Sequence, residues 1–124
     1  MVIDTGIFID HLRAKNKLKT TLYSLPPDAE LFISAVSLYE LYMGATTSEK
    51  EHDVKLITED LSILAFSDAV ALEAAKIYHQ LKVANKMIEF RDIFIAATCI
   101  ANDLPIVTLN QKHFSRIKGL KIIS

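Results

Sequence analysis

Four residues of this chain have types and placements that could do chemistry together: Asp4, Glu40, Asp92 and Asn110. Each stands where an apolar run gives way to a helix start or a turn. Asp4 follows Met1-Val2-Ile3, and Glu40 lies in the first turn of the helix after a strand at Leu31–Ser34. Asp92 opens an apolar helix, and Asn110 follows Ile106-Val107. In an open sheet of parallel strands, groups just past the carboxyl ends share one edge, where such sheets bind ligands. Asp4, Glu40 and Asn110 then meet there, and Asp92 joins them if its helix starts at that edge. Clustered carboxylates repel unless something compensates them, and a divalent cation is the simplest compensator. Oxygen donors without a His or Cys pair at ligand spacing indicate Mg²⁺ or Mn²⁺ and not zinc. Such an ion can hold a phosphodiester, polarise its phosphoryl oxygen and lower the pKa of a water for in-line attack.

Every one of these residues also has a structural reading. Asp4, Asp92 and Asn110 are all favoured helix N-cap types, and Glu40 completes the Ser-x-x-Glu pattern of a capping box with Ser37. Helix N-termini favour anions, so a cap and a ligand can be the same residue. Periodicity does not separate the two readings.

The elements that must position these groups alternate. Met1–Ile3 reads as a buried strand and Asp4-Thr5-Gly6 as a helix start, with Ile7, Phe8, His11 and Leu12 on a short helix. A second helix is expected over Lys15–Ser24, stopped by Pro26-Pro27. Leu31–Ser34 is the second strand, and a helix opened by the Ser37 capping box runs to Gly44. Ser48–Leu61 is a charged helix, Ile63–Phe66 a third strand, and Asp68 caps a longer helix. Asn85-Lys86 leads into the helix around Asp92, then the strand Ile106-Val107, and Leu120–Ile123 forms a last strand after Gly119. Strands alternating with helices imply a parallel sheet covered on both faces, an α/β sandwich forming one domain over residues 1–124.

Composition narrows the class. At 124 residues, 51% hydrophobic with three Gly and three Pro, the chain has the length and apolar content for a single packed core. The net charge of −1 gives no basic excess of the kind that binds nucleic acid by charge alone. A metal-dependent nuclease stays open, because its ions carry the positive charge. The single cysteine, Cys99, sits among apolar residues and reads as a small core residue; one thiol cannot form an internal disulfide, which points to a reducing compartment. No signal-peptide pattern opens the sequence and no apolar stretch reaches the roughly 18 to 20 residues of a membrane span. A soluble cytoplasmic protein is expected.

Four stretches together resemble a known family. VIDTG at the N-terminus, SAVSLYELYMGA around Glu40, RDIFIAATCIANDLPIVTLNQKHF and the terminal GLKII occur in the order and spacing of PIN-domain ribonucleases of the VapC toxin type. The resemblance covers essentially the whole chain. It implies the PIN-like α/β/α sandwich, with Asp4, Glu40 and Asp92 as acidic metal ligands. Asn110 falls where many members carry a fourth acid and many toxin-type members carry Asn, which weakens the case for a tightly held second ion. Thr5 and Thr108 match hydroxyl positions that orient the ligands. Gly6 stands where Asn or Ser is commoner. The resemblance further implies an RNA substrate, a homodimer and a VapB-type antitoxin whose C-terminal segment lies along a hydrophobic groove. Phe8, Leu12, Leu38, Tyr39, Leu41 and Tyr42 are candidates for that apolar surface, or else for core or dimer packing.

Other residues are weaker candidates. Glu89 is a further possible ligand or a solvated residue before the helix. His113 reads as an RNA contact or a surface His, and Lys86, Arg91, Lys112 and Arg116 as phosphate contacts or a solvated charged face. Two rival functions use the same residues: a catalytically weak PIN-like module that binds RNA or protein, and a DNA- or flap-directed nuclease.

Overall fold

The structure of the protein, a computed structural model, describes residues 1–123; the last residue of the expected 1–124 domain lies outside them. Five short strands form one all-parallel sheet: β1 (Val2–Ile3), β2 (Phe32–Ser34), β3 (Ser62–Leu64), β4 (Ile106–Val107) and β5 (Ile122–Ile123), in the order β3-β2-β1-β4-β5. The helices are α1 (Thr5–Arg13), α2 (Thr21–Ser24), α3 (Ala35–Gly44), α4 (Ser48–Thr58), α5 (Asp68–Val83), α6 (Phe90–Ala101) and α7 (Gln111–Phe114), with a 3-10 turn at Lys17–Lys19. The expected α/β/α sandwich is what is observed.

Alternation along the strands makes the two layers. Val2 and Ile106 point to one face and are buried with Val70, Ile77 and Leu81 of α5 and Ile93 and Ala97 of α6. Ile3, Ile33 and Val107 point to the other and are buried with Ile7 and Phe8 of α1, Leu41 of α3 and Val54 of α4. A period of two on short strands is enough to feed both cores. Parallel pairing aligns Val2 with Phe32 and Ile106, so β1, β2 and β4 end side by side.

Two helices end on residues in the left-handed conformation. At α5, Asn85 takes a left-handed φ of 54°, and its amide and that of Lys86 bond back to the carbonyls of Lys82 and Leu81. At α6, Asp103 takes φ 52°, and its amide and that of Leu104 bond back to Ile100 and Cys99. Both are Schellman closures built on Asn or Asp, side chains that tolerate this conformation. The second turns the chain directly into β4.

Several boundaries differ from expectation. The helix expected over Lys15–Ser24 is broken in two, because Asn16 caps the 3-10 turn and Thr20 caps α2. Lys17 turns back instead of continuing a helix; its ammonium donates to the carbonyls of His11, Leu12 and Ala14 at the end of α1. The α3 cap is Ser34, which accepts from the Ser37 amide; Ser37 is not the cap, and the expected Ser37–Glu40 capping box does not form. Ser67, not Asp68, caps α5. The third strand is Ser62–Leu64, starting one residue before and ending two residues before the expected Ile63–Phe66, which leaves Phe66 to pack edge-on against Phe94. Among the described residues no helix is long and apolar enough to cross a membrane.

Candidate active site

Asp4 is the fixed point of the site. It ends β1, caps α1 and is 7% exposed. Its Oδ1 accepts the Thr5 amide at 2.8 Å, and its Oδ2 accepts the Thr108 hydroxyl at 2.7 Å. The Thr108 oxygen in turn accepts the Asn110 amide at 2.9 Å. Burial pushes the Asp4 carboxyl above the ordinary range, and the charges of Asp92 and Glu40 push it the same way; the hydrogen bonds from Thr108 and Thr5 oppose them. Asp4 is therefore both a cap and a member of the cluster.

Glu40 reaches the same place through hydroxyls. Its Oε1 is 2.8 Å from the Thr5 hydroxyl, which is also 2.8 Å from Ser37 Oγ. A carboxylate only accepts, so the one Thr5 proton goes to Glu40 and Ser37 must donate to Thr5. Ser34 Oγ, 3.2 Å from Ser37 Oγ, completes a buried relay from the end of β2 to Glu40. The sequence reading missed Ser34 and gave Ser37 the wrong task. The available signal was a serine at the end of a strand, directly ahead of the helix.

Asp92 lies in the first turn of α6, where Glu89 occupies the cap position without a side-chain cap bond. Asp92 is therefore not an N-cap, contrary to its structural reading. Burial raises its carboxyl, Glu89 adds to the rise, and Arg91 and His113 oppose it. His113 Nδ1 lies 3.7 Å from Asp92 Oδ2 and 2.8 Å from Asn110 Nδ2. Asn110 precedes α7 but makes no side-chain cap bond. Its amide turns to His113, so His113 belongs to the site's rim and is not a bystander.

Arg91 spans the mouth, 3.2 Å from Glu40 Oε2 and 2.7 Å from Glu89 Oε2. Glu89 is thus engaged by a guanidinium at the exposed rim. Arg116 donates to the carbonyl of Met87 at 3.3 Å and holds the loop before α6. Lys86 and Lys112 are exposed.

The donor set suits a hard cation. It consists of three carboxylates, an amide and two hydroxyls, while the nearby Cys99 is fully buried with its thiol pushed up to about 12, chiefly by burial and also by Asp4. A thiol so protonated offers no soft ligand. Among the described residues no three His, Cys, Asp or Glu side chains are already closed into a metal-holding group. Glu40 Oε2 is engaged by Arg91 instead.

Two grooves meet at Glu40. One, of about 550 Å³, runs between α1, α3 and α4 past Leu12, Arg13 and Leu41. The other, of about 580 Å³, is walled by Val36, Tyr39, Met43, Phe66 and Phe94. Of the six apolar surface candidates, Phe8 and Leu41 are core residues and Leu12 and Leu38 pack partly against that core. Tyr39 and Tyr42 are the exposed ones.

The PIN domain family profile matches residues 1–120. Ribonuclease VapC1 of Methanocaldococcus jannaschii is 32% identical over 124 residues, covering 98% of this chain and 85% of that protein. Ribonuclease VapC10 of Mycobacterium tuberculosis is 30% identical over 121 residues, covering 98% and 90%. Among solved structures, VapBC-1 from nontypeable Haemophilus influenzae superposes with a TM-score of 0.83 at 25% identity, over 99% of this chain and 96% of that one. VapBC2 from Rickettsia felis, bound to a DNA fragment from its promoter, superposes with a TM-score of 0.87. Its 23% identity, over 98% and 96% of the two chains, supports the shared fold alone. The sheet order, the acids at its carboxyl edge and these similarities agree: the chain belongs to the PIN-domain family.

Proposed function

We propose that this chain is an endoribonuclease dependent on Mg²⁺ or Mn²⁺, acting as one PIN-like domain and as the toxin of a toxin–antitoxin pair. Asp4, Glu40 and Asp92 are the cation ligands, Asn110 assists, and Thr5 and Thr108 orient the carboxylates. The observation that carries this reading is Asp92. It is only 16% exposed and its Oδ2 lies 3.7 Å from His113 Nδ1, which is held by Asn110 beside the Thr108–Asp4 hydrogen bond, although no helix cap requires a carboxylate there.

The cation, when bound, supplies charge stabilisation at the phosphoryl oxygen and a water of lowered pKa. The chain supplies placement. Asp4 cannot rotate, because both its oxygens accept hydrogen bonds from donors on β1–α1 and on the turn after β4. Glu40 is held by Thr5, leaving Oε2 toward the mouth. Asn110 adds a neutral amide where a fourth acid would add charge, which favours one tightly held ion. Arg91, at the mouth between Glu40 and Glu89, and exposed Lys112, next to His113 in sequence, are the candidate cations for backbone phosphate.

Similarity to VapC ribonucleases supports RNA as the substrate, and similarity to VapBC complexes supports a VapB-type antitoxin partner. The two grooves that meet at Glu40 are the surfaces such a segment would cover, and exposed Tyr39 and Met43 suit contact with it or with a second copy of the chain.

The test is cleavage of a mixed RNA pool, with a matched DNA pool beside it, by purified protein in Mn²⁺ or Mg²⁺, in EDTA, and by folded Asp92→Asn. Expected is metal-dependent RNA cleavage lost in EDTA and reduced at least about a hundredfold in the variant. Equal activity in wild type and variant, or none with either ion, leaves the binding module as the better reading. Preferential DNA cleavage would replace the substrate class.

A further inference from the structure

Arg91 holds two carboxylates at once, and the three side chains differ in exposure. Glu40 is 12% exposed, Arg91 53% and Glu89 61%. The inner contact, Nη1 to Glu40 Oε2, is 3.2 Å, and the outer one, Nη2 to Glu89 Oε2, is 2.7 Å. Glu40 Oε1 is committed to the buried Thr5 hydroxyl. Oε2 is therefore the Glu40 oxygen that can change partners. The partner it has now is a solvated guanidinium on a flexible stem, and ion pairs of this exposure are weak. Glu89 gives that guanidinium a second anchor outside the cluster, so leaving Glu40 does not require leaving both carboxylates.

We propose that Arg91 is the exchangeable counter-ion of the acid cluster: it neutralises Glu40 when no cation is bound, and a divalent cation takes Glu40 Oε2 by displacing it. This rests on the reading of Asp4, Glu40 and Asp92 as cation ligands. Without Arg91, the metal-free protein would present Glu40 beside Asp92 and Asp4 with no guanidinium against it. With it, folding does not depend on the ion, and the ion binds by exchange, a doubly charged ligand replacing a singly charged one. The displaced guanidinium stays tethered to Glu89 at the mouth, where its planar fork matches phosphate geometry. Arg91 is thus a positioning residue that sets cation affinity from outside the ligand set.

Two measurements on the full chain test this. Calorimetric Mn²⁺ titration of wild type and Arg91→Ala should show the variant binding about two- to fivefold tighter, the range expected for removing a partly exposed competing pair. In a Mg²⁺ titration of ¹⁵N-labelled wild type, the Arg91 Nε–H resonance, assigned by its loss in Arg91→Lys, should shift as the Glu40 contact is lost. It should saturate with the binding isotherm. Unchanged or weaker Mn²⁺ binding by Arg91→Ala overturns the exchange, as does an Arg91 resonance that stays still while wild type binds Mg²⁺. The ligand reading fails separately, and the exchange with it, when wild type binds neither ion or when Asp92→Asn binds as tightly as wild type.

Discussion

Thr108 donates its hydroxyl proton to Asp4 Oδ2 at 2.7 Å across 104 positions of sequence, and the same oxygen accepts the Asn110 amide at 2.9 Å. One buried hydroxyl therefore joins the ends of neighbouring parallel strands β1 and β4 and fixes the orientation of a carboxylate. Thr108→Val keeps the shape and removes both hydrogen bonds. Expected is a loss of about 1–2 kcal/mol of stability, because a buried carboxylate oxygen and an amide lose their partner. Cation affinity should fall about tenfold or more, the usual effect of removing a ligand's orienting partner. Thr108→Ser should restore most of both. Urea denaturation and Mn²⁺ titration of the three proteins check this.

Asp92→Asn should separate stability from function. Asp4 and Asp92 both have carboxyls raised above the usual 3.8, so the folded chain binds their protons more tightly than the unfolded chain does. Their contribution to stability is then fully present below pH 3.8 and is lost as pH rises through the raised values. In EDTA at pH 7, Asp92→Asn should be more stable than wild type by roughly 0.5–1 kcal/mol, a gain that disappears on acidification. With Mg²⁺ at ten times its Kd, binding should stabilise wild type by about 1.4 kcal/mol and reverse the order. A variant less stable than wild type at pH 7 in EDTA would show that Asp92 has a structural role its surroundings do not reveal.

Thr5→Val breaks the hydroxyl relay at its last link. Glu40 Oε1 loses its 2.8 Å donor, and Ser37 loses the acceptor for its proton. The expected result is about 1–2 kcal/mol of destabilisation together with cation binding weakened about tenfold. Ser37→Ala, one link further back, should cost similar stability and much less affinity, because Thr5 can still donate to Glu40. Equal affinity losses in both variants would mean that the relay acts as one unit.

The layered fold, its parallel sheet and the places of Asp4 and Asn110 just past strand ends were legible in the sequence, because each depends on local pattern. Asp92 was placed only on condition that its helix starts at that edge, and Glu40 lies in the second turn of α3, not the expected first. β-branched runs such as Val2-Ile3 and Ile106-Val107 make strands, and polar groups after them land at the carboxyl edge by parallel topology alone. The family motifs mark the same residues. What local pattern could not assign was the partner of each polar group. Ser37 and Glu40 have capping-box spacing, yet Thr5, 35 positions before Glu40 in sequence, offers Glu40 a buried donor, and Ser34 takes the cap. Lys15–Ser24 has helical composition, yet Asn16 and Thr20 cap separate turns and Lys17 folds back onto the carbonyls that end α1. Asp92 looks like a cap and is none, while Arg91 looks like a solvated charge and spans two carboxylates. Spacing along a chain fixes which groups reach the sheet edge. Only the three-dimensional arrangement decides which donor each acceptor meets, because those donors come from elements that are neighbours in space and strangers in sequence.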